Sequence, residues 1–267
     1  KKLEFDINLN KKIILDISNR LFLNRNTIKK IKEILTNGKR VKIYIIDEPT
    51  EINLSTILDL KYTKTLIPFE AQNSVKRKLD KIKNKAMGFK YFIYAPTKIK
   101  KKNKKNDLTI SFGGSDNYGR TLYVLKLLKN LKTKKKIVVI IGKFFKKNYQ
   151  KKIINFCKNS KYKTKFFSKN FYNILNDTKM LVTNSGLTKY EGILHNIPVI
   201  VFSDTKESQK IDEVFIRKTN QFHFSYLKKE QNDMLKLKKI LNKKIKPKLF
   251  DKNKNKSYIN NIKKFFS

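Results

Sequence analysis

Residues 180–202, Met-Leu-Val-Thr-Asn-Ser-Gly-Leu-Thr-Lys-Tyr-Glu-Gly-Ile-Leu-His-Asn-Ile-Pro-Val-Ile-Val-Phe, restrict the fold more than any other part of the chain. Met180 to Thr183 is a short apolar run, broken by Asn184, Ser185 and Gly186. Gly186 can take the positive φ that a tight strand-to-helix turn needs. Leu187, Tyr190, Ile193 and Leu194 then recur at helical spacing, Asn196 is a helix stop, and Pro198 opens a β-branched run. Strand, turn, helix and strand in that order make a parallel βαβ unit. In an open α/β sheet such a turn lies at the carboxyl end of a strand, where ligands bind, and free N–H groups at a helix start favour an anion. An ordinary βαβ unit, whose glycine only makes the turn, carries the same pattern.

The rest of the chain repeats the alternation. Lys12 to Ile17 and Val41 to Ile46 are short apolar strands that carry Asp16 and lead into Asp47-Glu48-Pro49. A helical pattern from Asn26 to Asn37 lies between them and stops at Gly38. Asp16 and Asp47 read either as lining of an interdomain cleft or as a cap and a loop carboxylate. Leu66 to Phe69 reads as a strand, Glu70 to Lys85 as a lysine-rich helix, and Gly88 to Pro96 as an aromatic, turn-rich junction. Residues 98–106 have almost no apolar anchor and read as a solvated linker, or as a basic arm.

A second series begins at Asp107, with a strand running into Gly113-Gly114-Ser115-Asp116 and a helix from about Tyr118 to Leu131. Gly113 and Gly114 allow close approach of backbone to a phosphate, or simply a turn, and Ser115 and Asp116 are helix-capping types. Ile137 to Ile141 is an apolar strand ending at Gly142, where a ligand could also approach, with Lys143 adding charge. Helices are expected over Phe144 to Cys157, Phe171 to Asp177, Gln209 to Lys218 and Leu227 to Leu241, and Ile259 to Phe266 closes the chain.

Asn184-Ser185-Gly186-Leu187-Thr188-x-Tyr190-Glu191, followed by Pro198 and Gln209 and preceded by Gly113-Gly114-Ser115-Asp116, resembles the nucleotide-sugar site of the GT-B superfamily. The pattern looks most like the UDP-sugar hydrolases of pseudaminic acid biosynthesis, with the MurG-type glycosyltransferases as relatives. The resemblance implies an α/β fold of GT-B type with two Rossmann-like domains. It would divide the chain into a truncated N-terminal domain over 1–97, a linker over 98–106 and a nucleotide-sugar domain over 107–267. It implies that the helix from Leu187 holds UDP, that Glu191 meets the ribose, and that Gln209 lies near the sugar-diphosphate. The implied activity is release of UDP from a UDP-linked acetamido sugar. The alternatives are a glycosyltransferase using a UDP-sugar donor and an inactive UDP-sugar-binding relative. Such a site calls for no cofactor and no metal.

One family feature is missing. The hydrolases carry a Gly-x-Gly-His loop whose histidine is the catalytic base, whereas this chain has only His195 and His223, neither after a glycine loop. The chain is therefore expected to be a piece of a longer polypeptide or a member that has lost the base.

Composition bounds the partners. Of 267 residues, 64 are Lys or Arg against 21 Asp or Glu, a formal charge of +43. That charge invites a nucleic-acid reading. The excess is almost all lysine and is spread over the whole chain, whereas base readout favours arginine. The expected partner is a UDP-sugar and no specific nucleic acid. Cys157 is the only cysteine, so it can form no internal disulfide, and its apolar-periodic setting makes it a core residue. No apolar run approaches membrane-spanning length. A cytoplasmic monomer is the expectation.

Overall fold

The computed structural model describes residues 104–167 and 171–242, and outside these 13–16, 29, 43–46, 63–67, 80, 84–92 and 260–265. Contacts between Cα atoms divide the chain into two compact units, 1–93 with 251–267, and 94–250.

In the first unit four strands, β1 (Ile13–Asp16), β2 (Ile43–Ile46), β3 (Thr63–Ile67) and β4 (Lys85–Met87), form a parallel sheet in chain order. The expected helix up to Lys85 is corrected at its end, because Lys85 pairs with Thr65 in β4. The sequence over 85–87 is too short to show a period. After β4, Gly88 at φ 101° turns the chain into a 3₁₀ turn over Phe89–Tyr91, a conformation in which other residues are strained. Residues 260–265 are helical, and here Asn261 Nδ2 donates to the Lys90 carbonyl at 3.4 Å. Of the expected helix over 26–37 only residue 29 is described, and it is helical; Asp47 and residues 98–103 of the expected linker lie outside the described residues.

The second unit holds a six-stranded parallel sheet. Its strands are β5 (Leu108–Ser111), β6 (Ile137–Ile141), β7 (Lys163–Phe166), β8 (Leu181–Asn184), β9 (Val199–Phe202) and β10 (Phe222–Phe224), in the order β10-β9-β8-β5-β6-β7. The helices between them are α1 (Arg120–Asn130), α2 (Lys147–Asn159), α3 (Phe171–Asn176), α4 (Thr188–Leu194) and α5 (Lys206–Thr219), and α6 (Glu230–Asn242) follows β10. β5, β6 and β9 are buried along their whole length, as the apolar runs of β6 and β9 predict. β7, at one edge, exposes Lys163 and Lys165, which blunts that edge against pairing.

The chain runs outward from β5 to β6 and β7, returns to the other side of β5 as β8, and runs outward again. This is the strand order 3-2-1-4-5-6 of a doubly wound sheet, with its switch point between β5 and β8. The core beneath it joins Ile110, Val139 and Val182 of the sheet to Leu128 of α1, Cys157 of α2 and Ile240 of α6. Phe202 and Phe224 stack with ring centroids 4.2 Å apart. Cys157 is 1% exposed, and burial pushes its thiol up to about 11, so it is unreactive packing.

α4 ends as its sequence foretells. Asn196 sits at φ 52°, its N–H reaches the Ile193 carbonyl, and the Ile197 N–H reaches that of Gly192. This pair of bonds is a Schellman motif. α1, in contrast, begins at Arg120 rather than at Tyr118, because Asp116 and Gly119 both take left-handed φ values of 43° and 65°.

Candidate functional site

Because all six strands are parallel, their carboxyl ends share one edge of the sheet. The structure brings most of the sequence-predicted residues of this unit to that edge. Gly113, Gly114, Ser115 and Asp116 leave β5, and Gly142 leaves β6. Asn184, Ser185, Gly186, Leu187 and Thr188 carry β8 into α4, Glu191 lies in the first turn of α4, and Gln209 lies early in α5. The two glycine turns flank the switch point. Asp16 ends β1 in the other unit.

The Asn184–Gly186 turn is made differently from the sequence expectation. Gly186 does not take a positive φ. Instead Asn184 Oδ1 accepts the Gly186 N–H at 3.2 Å, and Asn184 Nδ2 donates to Asp204 Oδ2 at 3.0 Å. The side chain of Asn184 thus closes the turn that a left-handed glycine would otherwise make.

Asp116 caps α1. Its carboxylate accepts the N–H groups of Arg120 and Thr121, both at 2.8 Å, and the Tyr149 hydroxyl at 2.7 Å. Gly113, at φ 73°, makes the turn before it. Gly142 serves this loop: a Cβ there would overlap the carbonyl oxygens of both Gly113 and Gly114, and the Phe144 N–H donates to the Gly114 carbonyl at 2.9 Å. The close approach that glycine permits here is backbone on backbone.

Glu191 accepts from the Tyr172 hydroxyl at 3.2 Å, and burial raises its carboxyl above the usual range. Gln209 is engaged within the protein. Its Oε1 accepts the Ser225 hydroxyl at 2.8 Å and its Nε2 donates to Glu213 at 3.0 Å. His195 is 3% exposed, pairs through Nδ1 with Asn176 at 3.0 Å, and is pulled down to about 4 chiefly by burial. Neither its pairing nor its burial suits a base.

A buried polar network that sequence reasoning missed lies behind the turns. Lys189 and Asp212 are both fully buried and pair at 2.6 Å. Lys189 Nζ also donates to the Ser185 carbonyl at 2.8 Å, and lies 5.3 Å from the ring centroids of Tyr190 and Phe215. Asp212 Oδ2 accepts the hydroxyls of Ser185 at 2.5 Å and Ser203 at 2.6 Å. Because Ser203 spends its proton on Asp212, His223 Nε2, 2.7 Å away, is placed to donate to the Ser203 oxygen. Burial pulls the Lys189 ammonium below the ordinary lysine value, against the opposing pull of Asp212.

Arg120, 1% exposed, donates through Nη2 to the carbonyls of Ser203 and Tyr226, the latter at 2.7 Å. Its Nε lies 3.7 Å from Asp204 Oδ1, and Nε and Nη1 have no hydrogen-bond partner among the described residues. Asp204 faces Arg120, Asn184, Asp116 and Asp212, and burial pushes its carboxyl from 3.8 up to about 6.

A carboxyl whose pKa is raised on folding contributes stability that is complete below its unfolded pKa and lost as pH rises through its folded pKa. Asp204 therefore lowers stability progressively between pH 3.8 and about 6. Asp204→Asn, which keeps an acceptor for Asn184, should gain on the parent protein over that window by at most about 3 kcal/mol. Thermal unfolding of both proteins from pH 4 to 7 checks this. A constant difference across the window would show that Asp204 does not titrate there.

Among the described residues no group of three or more His, Cys, Asp or Glu side chains could hold a metal ion, and no helix is long and apolar enough to cross a membrane.

No protein-family model matches the chain. It is 28% identical over 136 residues to an uncharacterized protein of Methanocaldococcus jannaschii, a match that covers 49% of this chain and 28% of that protein. The chain thus spans less than a third of the curated relative that it matches, at 28%. Its structure is similar to that of the lipopolysaccharide outer core galactosyltransferase WaaB, with a TM-score of 0.52 and 10% identity over 91% of this chain and 73% of that one. It is also similar to the glycotransferase of kitacinnamycin, with a TM-score of 0.51 and 9% identity over 94% of this chain and 70% of that one. The fold is α/β of GT-B type.

Proposed function

We propose that the 94–250 unit binds a UDP-sugar and that the chain belongs to a glycosyltransferase. The observation that carries the reading is the flanking of the β5–β8 switch point by the Gly113–Gly114 loop and the Asn184–Gly186 turn. Nucleotides occupy this crevice in doubly wound sheets. Backbone N–H groups of the two turns would stabilise the diphosphate as the bond from the anomeric carbon to its oxygen breaks. Glu191, next to the turn, is the residue for a ribose diol. Its half-buried carboxyl is held on one oxygen by Tyr172.

Transfer is preferred to hydrolysis because of the likeness in fold. Two solved proteins of similar fold are a galactosyltransferase and a glycotransferase. The hydrolytic reading, with its acetamido sugar and its place in pseudaminic acid biosynthesis, rests on the sequence resemblance alone.

Calorimetric titration of UDP at moderate salt, with CDP and ADP as controls, tests the site. UDP should bind at least about tenfold more tightly than either control, and Glu191→Ala should lose about tenfold or more. Equal, salt-sensitive binding of all three would mean that the lysine charge alone attracts diphosphates, and the reading would fall. Release of UDP from a UDP-sugar only when an acceptor is added separates transfer from hydrolysis.

A further inference from the structure

We propose that Lys189 and Asp212 are positioning residues of this site, holding the Asn184–Gly186 turn from behind in the shape that receives the nucleotide. The proposal rests on the UDP-sugar reading for its ligand, but the turn itself can be read without one.

The pair is connected to the turn at three points. Lys189 Nζ holds the Ser185 carbonyl at 2.8 Å, Asp212 Oδ2 holds the Ser185 hydroxyl at 2.5 Å, and Lys189 stands in the first turn of α4. Asp212 also reaches the loop after β9, through the Ser203 hydroxyl at 2.6 Å. A single carboxylate on α5 therefore fixes the exits of β8 and β9 relative to each other. Backbone and side chain of Ser185 are both tied, so this residue cannot rotate without breaking a partly buried, charge-assisted bond.

Stability does not account for the arrangement. A fully buried ion pair is commonly replaced by apolar residues of similar volume with no loss of stability, because removing both charges also removes their desolvation penalty. What the apolar pair cannot supply is an acceptor for Ser185 and Ser203 and a donor for the Ser185 carbonyl. The pair's distinctive contribution is geometry at the turn.

That difference sets the experiment. The double variant Lys189→Met/Asp212→Leu is compared with the parent protein for thermal stability, for UDP affinity by calorimetry, and for ligand-free amide exchange at Gly186. The Gly186 N–H is held by Asn184 Oδ1 only while the turn keeps its shape. Val182 and Ile200, in the buried strands on either side, serve as reference amides. The expected result is a smaller loss of stability than Asp212→Ala alone gives, exchange at Gly186 faster by about tenfold or more relative to the references, and UDP affinity weaker by about tenfold or more.

Unchanged exchange at Gly186 overturns the proposal whatever UDP does, and so does UDP affinity equal to that of the parent. If the parent itself does not bind UDP, the UDP-sugar reading fails and the exchange result alone decides whether the pair holds the turn. Should the double variant not fold, Ser185→Ala keeps the ion pair and removes one of its holds on the turn. Faster exchange at Gly186 then supports the proposal, and parental exchange overturns it.

Discussion

Asp212→Ala is expected to lower the unfolding free energy by about 3–5 kcal/mol, a large fraction of the total for a domain of this size. The reason lies with the partner it abandons. Lys189 Nζ has no exposure and no carboxylate within hydrogen-bond distance other than Asp212, among the described residues. With Asp212 gone the ammonium must remain buried beside Tyr190 and Phe215 with only the Ser185 carbonyl to receive it, or lose its proton. Cation–π contact is worth about 2 kcal/mol at most and does not replace an ion pair. Ser185 and Ser203 lose an acceptor as well, each at about 1–3 kcal/mol where the hydroxyl stays buried.

Lys189→Met should be milder, since methionine fills the stem's space and the carboxylate left behind keeps two hydroxyl donors. Urea unfolding of the two single variants checks the order. Equal, small losses in both would mean that the pair is solvated in solution.

The sequence showed the parts of this site whose signal is local. The β8–α4–β9 unit was legible because its apolar spacing switches from a run to a helical period and back within 23 residues, 180–202. Gly113–Gly114 and Asn184–Gly186 were legible as punctuation. β4 and β10, three residues each, fall below any period.

The polar network was hidden for a different reason. Arg120, Asp204, Asp212 and Lys189 come from separate elements, and in a chain with 64 Lys and Arg a buried lysine has no signature of its own. One signal existed. Asp212 shares with Phe215 and Thr219 the spacing i, i+3, i+7 of the buried face of α5, and an acid on an apolar stripe calls for a buried partner. At Gly142 the sequence suggested close approach of a ligand, whereas the atoms that crowd it are the backbone of Gly113 and Gly114.

Gly142→Ala tests that approach and is expected to cost about 3 kcal/mol, at the upper end for a single added methyl group. The φ of Gly142 is not in the left-handed region, so the new residue meets no conformational penalty of its own and the effect is steric. Its Cβ would lie 2.7 Å from the Gly114 carbonyl carbon and closer still to the carbonyl oxygens of Gly113 and Gly114. These are backbone atoms that no rotamer change can move aside. Relief requires the loop after β5 to shift, which breaks the bond from the Phe144 N–H to the Gly114 carbonyl and disturbs the left-handed turn at Gly113.

Gly192→Ala is the informative contrast. Its Cβ would meet Leu181 Cδ2 and Val199 Cγ2, both at 2.7 Å, but these are ends of side chains that can repack. A loss of about 1–2 kcal/mol is expected there. If the Gly113–Gly114 loop receives the diphosphate, Gly142→Ala must also weaken UDP binding at temperatures where the variant is fully folded, whereas Gly192→Ala must not. Denaturant unfolding and UDP titration of both variants decide it. A Gly142→Ala protein that is as stable as Gly192→Ala would show that the loop yields at little cost, and one that binds UDP like the parent would remove the loop from the site.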